Sequence, residues 1–132
     1  MTSSHEELVA TYLRALSTAD VDLALTLFAA DAVVHSPLYG PLPATEFFPT
    51  LFADTGQADL KLKSVMQGHD SSGRVTLSFW FHFDWRLPSG VPAPFDVVDV
   101  ATLDDDDQIT ALWLVYDTVE VRPKFEAETG TS

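Results

Sequence analysis

The stretch "PFDVVDVATL", residues 94–103, reads as a strand with one carboxyl on each face. Strand side chains alternate, so Phe95, Val97, Asp99 and Ala101 share one side and Asp96, Val98 and Val100 share the other. Each side is otherwise apolar. An ionised carboxylate buried in such a place is costly unless it is paired or becomes neutral. The two aspartates therefore need separate explanations, and one of them is a candidate for chemistry.

Outward from this strand, the C-terminal two thirds of the chain keep the same period. "RVTLSFWFHFDWRL" (74–87) sets Leu77, Phe79, Phe81 and Phe83 against Ser78, Trp80, His82 and Asp84, and Trp80 opposite the Phe row lets both faces be covered. "ADLKLKSVMQGHD" (58–70) alternates Leu60 and Leu62 with Lys61 and Lys63, and Asp70 to Gly73 is turn chemistry. "PSGVPAP" is a loop, "DDDDQ" (104–108) a solvated turn, and "ITALWLVYDTVEV" (109–121) the last strand. The N-terminal third is helical. Ser4 and Glu7 form a capping box, and Leu8, Val9, Tyr12, Leu13 and Leu16 follow at helical spacing. Asp20 caps a second helix with Val21, Ala24, Leu25, Leu27 and Phe28 on its apolar face. "AVVHSP" (32–37) is a short extended piece and "LYGPLP" (38–43) a loop. "ATEFFPTLFAD" (44–54) is a third helix with Thr45 as cap, and Pro49 predicts a late start or a kink. Helices followed by hairpin-linked strands give an α+β fold, a curved mixed or antiparallel sheet packed on three N-terminal helices. Such a sheet forms a cone with an apolar interior, the usual small-molecule site. One domain is expected over residues 1–132, its core about 5–121 and a polar, frayed tail after Arg122.

Composition removes several function classes. Twenty acidic against seven basic residues give a formal net charge of −13. Phosphate neutralisation needs clustered Lys and Arg, so nucleic acid and anionic membrane surfaces are not expected partners. There is no Cys, hence no disulfide, thiolate chemistry or Cys-based zinc site. No signal peptide or membrane-spanning run is apparent, and a cytoplasmic protein is the default expectation. His69, His82 and Asp84 lack tight ligand spacing, and "DDDD" lacks the glycine and distal glutamate of a calcium loop. No metal and no cofactor is expected.

The element order and several residues resemble the nuclear transport factor 2-like superfamily, with its cystatin-like α+β roll, and within it the ketosteroid isomerase branch. The resemblance covers about Leu8 to Val121. "DVVDV" (96–100) is similar to the strand that carries that branch's oxyanion-hole aspartate, which matches Asp99, and Tyr12 matches its oxyanion-hole tyrosine. In the family, the tyrosine and a protonated aspartate donate hydrogen bonds to the substrate's carbonyl oxygen. "ADAVVHSP" (30–37) looks like the stretch that ends in the family's general base, an Asp before Pro. Here that position is Ser36. By the same match Phe28, Phe52, Phe79, Phe81, Phe83, Val97, Leu112, Leu114 and Tyr116 line the cavity.

A hydroxyl does not abstract a carbon-bound proton unless something activates it. His35, beside the vacant position, is the candidate substitute base, since imidazole titrates near neutral pH. Strict alternation puts it on the opposite face from Ser36, and a one-residue slip would bring it in. Asp117 is ranked below Asp99, because alternation turns it away from Leu114 and Tyr116. Two readings stay open. One is isomerase- or polyketide cyclase-type proton transfer on an apolar carbonyl or phenolic compound. The other is a non-catalytic ligand-binding or assembly module. Under either reading the resemblance implies a homodimer through the outer sheet face, where Val98, Val100, Trp80, Trp113 and Val115 lie.

Overall fold

The computed structural model describes residues 4–130. Helix α1 (Ser4–Thr18) and the short α2 (Val21–Leu25) come first. The Ser4 side chain, and with it the expected capping box, lies outside the described residues. The Asp20 cap is present, its Oδ1 accepting from the Leu23 N–H at 3.0 Å. Strands β1 (Phe28–Ser36) and β2 (Gly40–Pro43) form a hairpin that leads into α3 (Ala44–Ala53). Then follow β3 (Gln57–His69), β4 (Val75–Arg86), β5 (Phe95–Leu103), β6 (Ile109–Val115) and α4 (Val121–Thr129). All six strands form one sheet in the order β2-β1-β6-β5-β4-β3, antiparallel except for the parallel β1–β6 pair. This is the α+β architecture expected, a curved open sheet with helices against it.

The elements differ from the sequence reading at five places. Phe28 opens β1 instead of extending α2, whose helix stops at Leu25. "LYGPLP" is not all loop, because Gly40 at φ 74° turns the chain back and Gly40–Pro43 pairs with Val33–Ser36. α3 is capped by Pro43 without a side-chain bond, so Thr45 is no cap, and the helix starts at Ala44 and continues through Pro49. Pro49 lies in the second turn, where it removes a single i→i−4 bond. β6 ends at Val115, six residues early. The tail expected to be frayed is helix α4, with Val121 and Phe125 buried.

The core lies between the sheet's inner face and the helices. Leu77, Phe79, Phe81 and Phe83 of β4 are all buried there, as alternation requires. Ring pairs tie the layers together: Tyr12 meets Phe79 edge-on at 5.3 Å, and Phe48 meets Phe28 at 5.2 Å. On the outer face Trp80 is half exposed under the Lys63 ammonium, 5.1 Å from the ring centre. Asp96 faces outward as well, 2.8 Å from His82 Nδ1 and 3.8 Å from Lys63 Nζ. The outward aspartate of the opening stretch is thus solvated and paired. Among the described residues, no helix is long and apolar enough to cross a membrane.

Candidate active site

Strand register places the other aspartate. Across the inner face Ser36 of β1 extends the parallel register to Leu114 of β6, Leu114 pairs with Asp99 of β5, and Asp99 pairs with Phe79 of β4. In the next row Val97 pairs with Phe81, and the β5–β6 register, carried one residue past Val115, adds Tyr116. Two strand spacings separate Ser36 from Asp99, about 10 Å along the sheet. Helix α1 crosses above and lowers Tyr12 onto this floor. All of these residues but Phe79 line a cavity of about 30 Å³, room for about two waters. Its wall holds no Lys, Arg or His.

Asp99 is 1% exposed, and neither carboxyl oxygen has a partner at hydrogen-bond geometry. Burial pushes its pKa up to about 8, and the nearby Tyr12 hydroxyl opposes that rise only in part. Burial thus favours the neutral acid over the carboxylate at pH 7. Tyr12 is raised well above the ordinary tyrosine range, by burial first and by Asp99 second. Tyr116 is raised, by burial first and also by Asp99, while the nearby Ser36 hydroxyl and the charge of Arg122 pull the other way. Tyr39, also in the wall, is raised by burial and by its 2.7 Å donation to Asp54 Oδ2.

Ser36 is 7% exposed. Its Oγ accepts from the Leu38 and Tyr39 N–H groups, both at 3.2 Å, in a turn set by Pro37. These two bonds commit the Ser36 oxygen to forming the turn. His35 does not substitute for it. It stacks on Trp113 across the outer face, ring centres 5.0 Å apart and planes 5° apart. The slip that would bring His35 inward does not occur, because Val34 and Ser36 are both held in the buried row. Asp117 is exposed, accepting from Val119 N at 2.9 Å. Of the expected wall residues, Phe81, Phe83, Val97, Leu114, Tyr116 and Ser36 line the cavity. Phe28, Phe52, Phe79 and Leu112 do not; Phe28 and Phe52 pack on Phe48, one layer behind it. Tyr39, Phe47, Trp85 and Phe95 line it and were missed.

Helix α4 packs behind the cavity wall. Phe125 packs on the wall residues Tyr39 and Trp85, with ring centres at 5.2 and 6.1 Å. Two polar clasps hold the helix there: Arg122 donates to the Pro37 carbonyl at 2.6 Å, and Glu128 accepts from the Ser89 N–H and hydroxyl. Among the described residues no cluster of three His, Asp or Glu is placed to hold a metal ion.

No curated protein matches this chain in sequence. Solved structures share its fold over most of its length. An NTF2-like protein from Exiguobacterium sp. 255-15 is 15% identical with a TM-score of 0.69, covering 83% of this chain and 98% of its own. TerC, co-crystallised with polyporic acid, is 21% identical with a TM-score of 0.70, covering 94% and 99%. SalBIII, an epoxide hydrolase/cyclase-like enzyme of pyran ring formation in salinomycin, is 17% identical with a TM-score of 0.70, covering 88% and 92%. At these identities the likeness is one of fold. The model of the SnoaL-like domain matches residues 9–112, most of the chain, and this protein, with its NTF2-like fold, belongs to that family.

Proposed function

We propose that this protein binds a small apolar carbonyl or phenolic compound in this cavity, which must widen beyond its two-water volume to admit it, with the ligand's oxygen held by Tyr12 and the neutral carboxyl of Asp99. One observation carries the reading: a fully buried carboxyl, which burial favours as the neutral acid, with no hydrogen-bond partner on either oxygen, on the wall of an apolar cavity. Leaving such a donor unmade costs about 1–3 kcal/mol, and a ligand oxygen removes that cost. Proton transfer needs a group that gains and loses its proton near working pH. Among the wall residues only Asp99 is poised there, since burial raises Tyr12, Tyr39 and Tyr116 further above neutrality. One carboxyl suits a step in which an oxygen gains a proton as a neighbouring bond forms, as in cyclisation. It suits less well the double-bond shift of an isomerase, where a separate base carries the proton between carbons. The fold shared with the cyclase-like SalBIII and with TerC, crystallised with polyporic acid, supports the same class.

A non-catalytic binding role is the second reading, favoured by the committed hydroxyl of Ser36. Calorimetry with a series of phenols, followed by product analysis on cyclisable hydroxy-epoxides and on a small β,γ-unsaturated ketone, separates the two. Saturable phenol binding weakened tenfold or more by Asp99→Ala is expected in both. Product formation supports catalysis, and binding without product supports sequestration. An Asp99→Ala protein that binds as well as the parent contradicts the site. Turnover of the ketone by Ser36→Asp and not by the parent identifies the missing base.

A further inference from the structure

A cavity with room for about two waters has to widen before an apolar compound enters, so part of its wall has to yield. Most of the wall resists. Phe81, Val97 and Asp99 stand on β4 and β5, each hydrogen-bonded to a strand on both sides. Helices α1 and α3 each bury a row of side chains, Val9, Tyr12 and Leu16 on one and Phe47, Phe48 and Leu51 on the other. The wall is only partly buried at Leu38, Tyr39, Phe95 and Tyr116, and α4 reaches that end. Phe125 packs on Tyr39, and Arg122 holds the Pro37 carbonyl beside Leu38. The helix itself is lightly held. It buries Val121 and Phe125, and its two ends are fastened by side chains, Arg122 onto Pro37 O at 2.6 Å and Glu128 against the Ser89 N–H and hydroxyl. Open grooves flank it, one of about 340 Å³ between Phe95 and the Asp117–Val121 connection and one of about 430 Å³ between Val91 and the stretch from Pro123 to Glu128. Strand β6 ends at Val115, and the connection beyond it is exposed at Asp117, Val119 and Glu120. That connection turns without breaking a strand pair.

We propose that α4 is a latch on the cavity. It swings on the Asp117–Glu120 connection, with Arg122 and Glu128 as its two catches. In the closed state Phe125 lies against Tyr39 and Trp85, with ring centres at 5.2 and 6.1 Å. Opening withdraws Phe125 and removes the backing from these two wall residues. Each is otherwise tethered through one polar atom, Tyr39 to Asp54 at 2.7 Å and Trp85 to Thr55 at 2.9 Å, so each ring pivots and the cavity widens. The inference rests on the reading of the cavity as a site for a small apolar compound, and it adds the route by which that compound enters and leaves. A segment with little buried apolar surface opens locally well below the cost of global unfolding. A closing element of this kind sets binding rates without touching the ligand.

The experiment has a ligand-free arm and a binding arm. Without ligand, native-state hydrogen exchange of α4 amides is expected to run on the order of 100-fold faster than that of β5 amides and to ignore low urea, as local opening does. Arg122→Met speeds the α4 exchange about fivefold. Exchange of α4 at the β5 rate, with the same urea dependence, overturns the proposal whether or not any ligand binds. The binding arm follows 4-nitrophenol by stopped flow. The chain has no Cys, so Ser89→Cys/Glu128→Cys can be bridged at this one place by a short bifunctional methanethiosulfonate that dithiothreitol reverses. Bridging is expected to slow association and dissociation together, by about tenfold or more, and reduction to restore both. Arg122→Met speeds both about fivefold, whereas a merely structural catch would alter affinity through one rate alone. Equal rates in the bridged and reduced forms overturn the latch. If wild type binds no phenol while α4 exchange ignores urea and quickens in Arg122→Met, the site reading falls and the latch stands.

Discussion

At the scale of single residues, the account depends on where protons sit. Asp99 holds its proton to about pH 8 when folded and to about pH 4 when unfolded. Between those values the folded state binds one proton more, so this group's contribution falls as pH rises. The loss is about 1.4 kcal/mol per pH unit at most, and it is complete above the folded pKa. Asp99→Asn removes the slope. Denaturation of both proteins from pH 4.5 to 8.5 should show a stability difference that shifts steadily in favour of the Asp99→Asn variant as pH rises; a constant difference contradicts a neutral Asp99. Ser36→Ala leaves two buried N–H groups unpaired and is expected to cost about 1–3 kcal/mol, read by urea titration. Asp99 was legible because alternation separates it from Asp96 and the family resemblance marks it as the inward one. The commitment of Ser36 was not, because the family resemblance puts a base at that position and hides the Ser-Pro turn that the residues themselves spell.

At the scale of elements, α4 is the piece the sequence hid. Its composition is polar, and only Val121 and Phe125, one turn apart, mark a buried stripe. Gly130 at φ 73° ends the helix in the left-handed conformation, a stop signal that a polar tail makes easy to pass over. Two residues of buried face sufficed because Phe125 drops between Tyr39 and Trp85 instead of lying on a flat surface. Phe125→Ala is predicted to cost about 3–5 kcal/mol and to speed ligand entry, checked by thermal unfolding and stopped-flow binding. A ligand association rate equal to the parent's contradicts a closing role for α4. The junction of α3 and β3 makes a second prediction. A Cβ on Gly56 would lie 2.6 Å from the Leu87 carbonyl oxygen, which is backbone and has little freedom to yield. Gly56→Ala should destabilise by about 1–3 kcal/mol, whereas Gly73→Ala is governed by its φ of 84° and meets no neighbour.

At the scale of the whole molecule, the sheet divides two kinds of surface. The inner face encloses the cavity. The outer face shows Trp80, Trp113 and Val115, the last 57% exposed. This is the face on which the family resemblance leads us to expect a homodimer contact. Val115→Glu is predicted to shift sedimentation from dimer to monomer at micromolar protein, and a monomeric parent contradicts that expectation. The fold class was readable because period-2 alternation runs through β4 and β5, while the parallel β1–β6 pairing was not, since no local pattern names a strand's distant neighbour. The same pairing brings Ser36 opposite the Asp99 row, so the cavity's chemistry is a product of topology more than of any motif.

The central claim is that Asp99 is a neutral acid aimed at a ligand oxygen. The direct measurement is an NMR titration of the Asp99 ¹³Cγ resonance, free and with a saturating phenol. The account predicts a midpoint near 8 in the free protein and a displaced resonance on binding. A midpoint in the ordinary aspartate range near 4, or a resonance that ignores the phenol while the phenol binds, contradicts it.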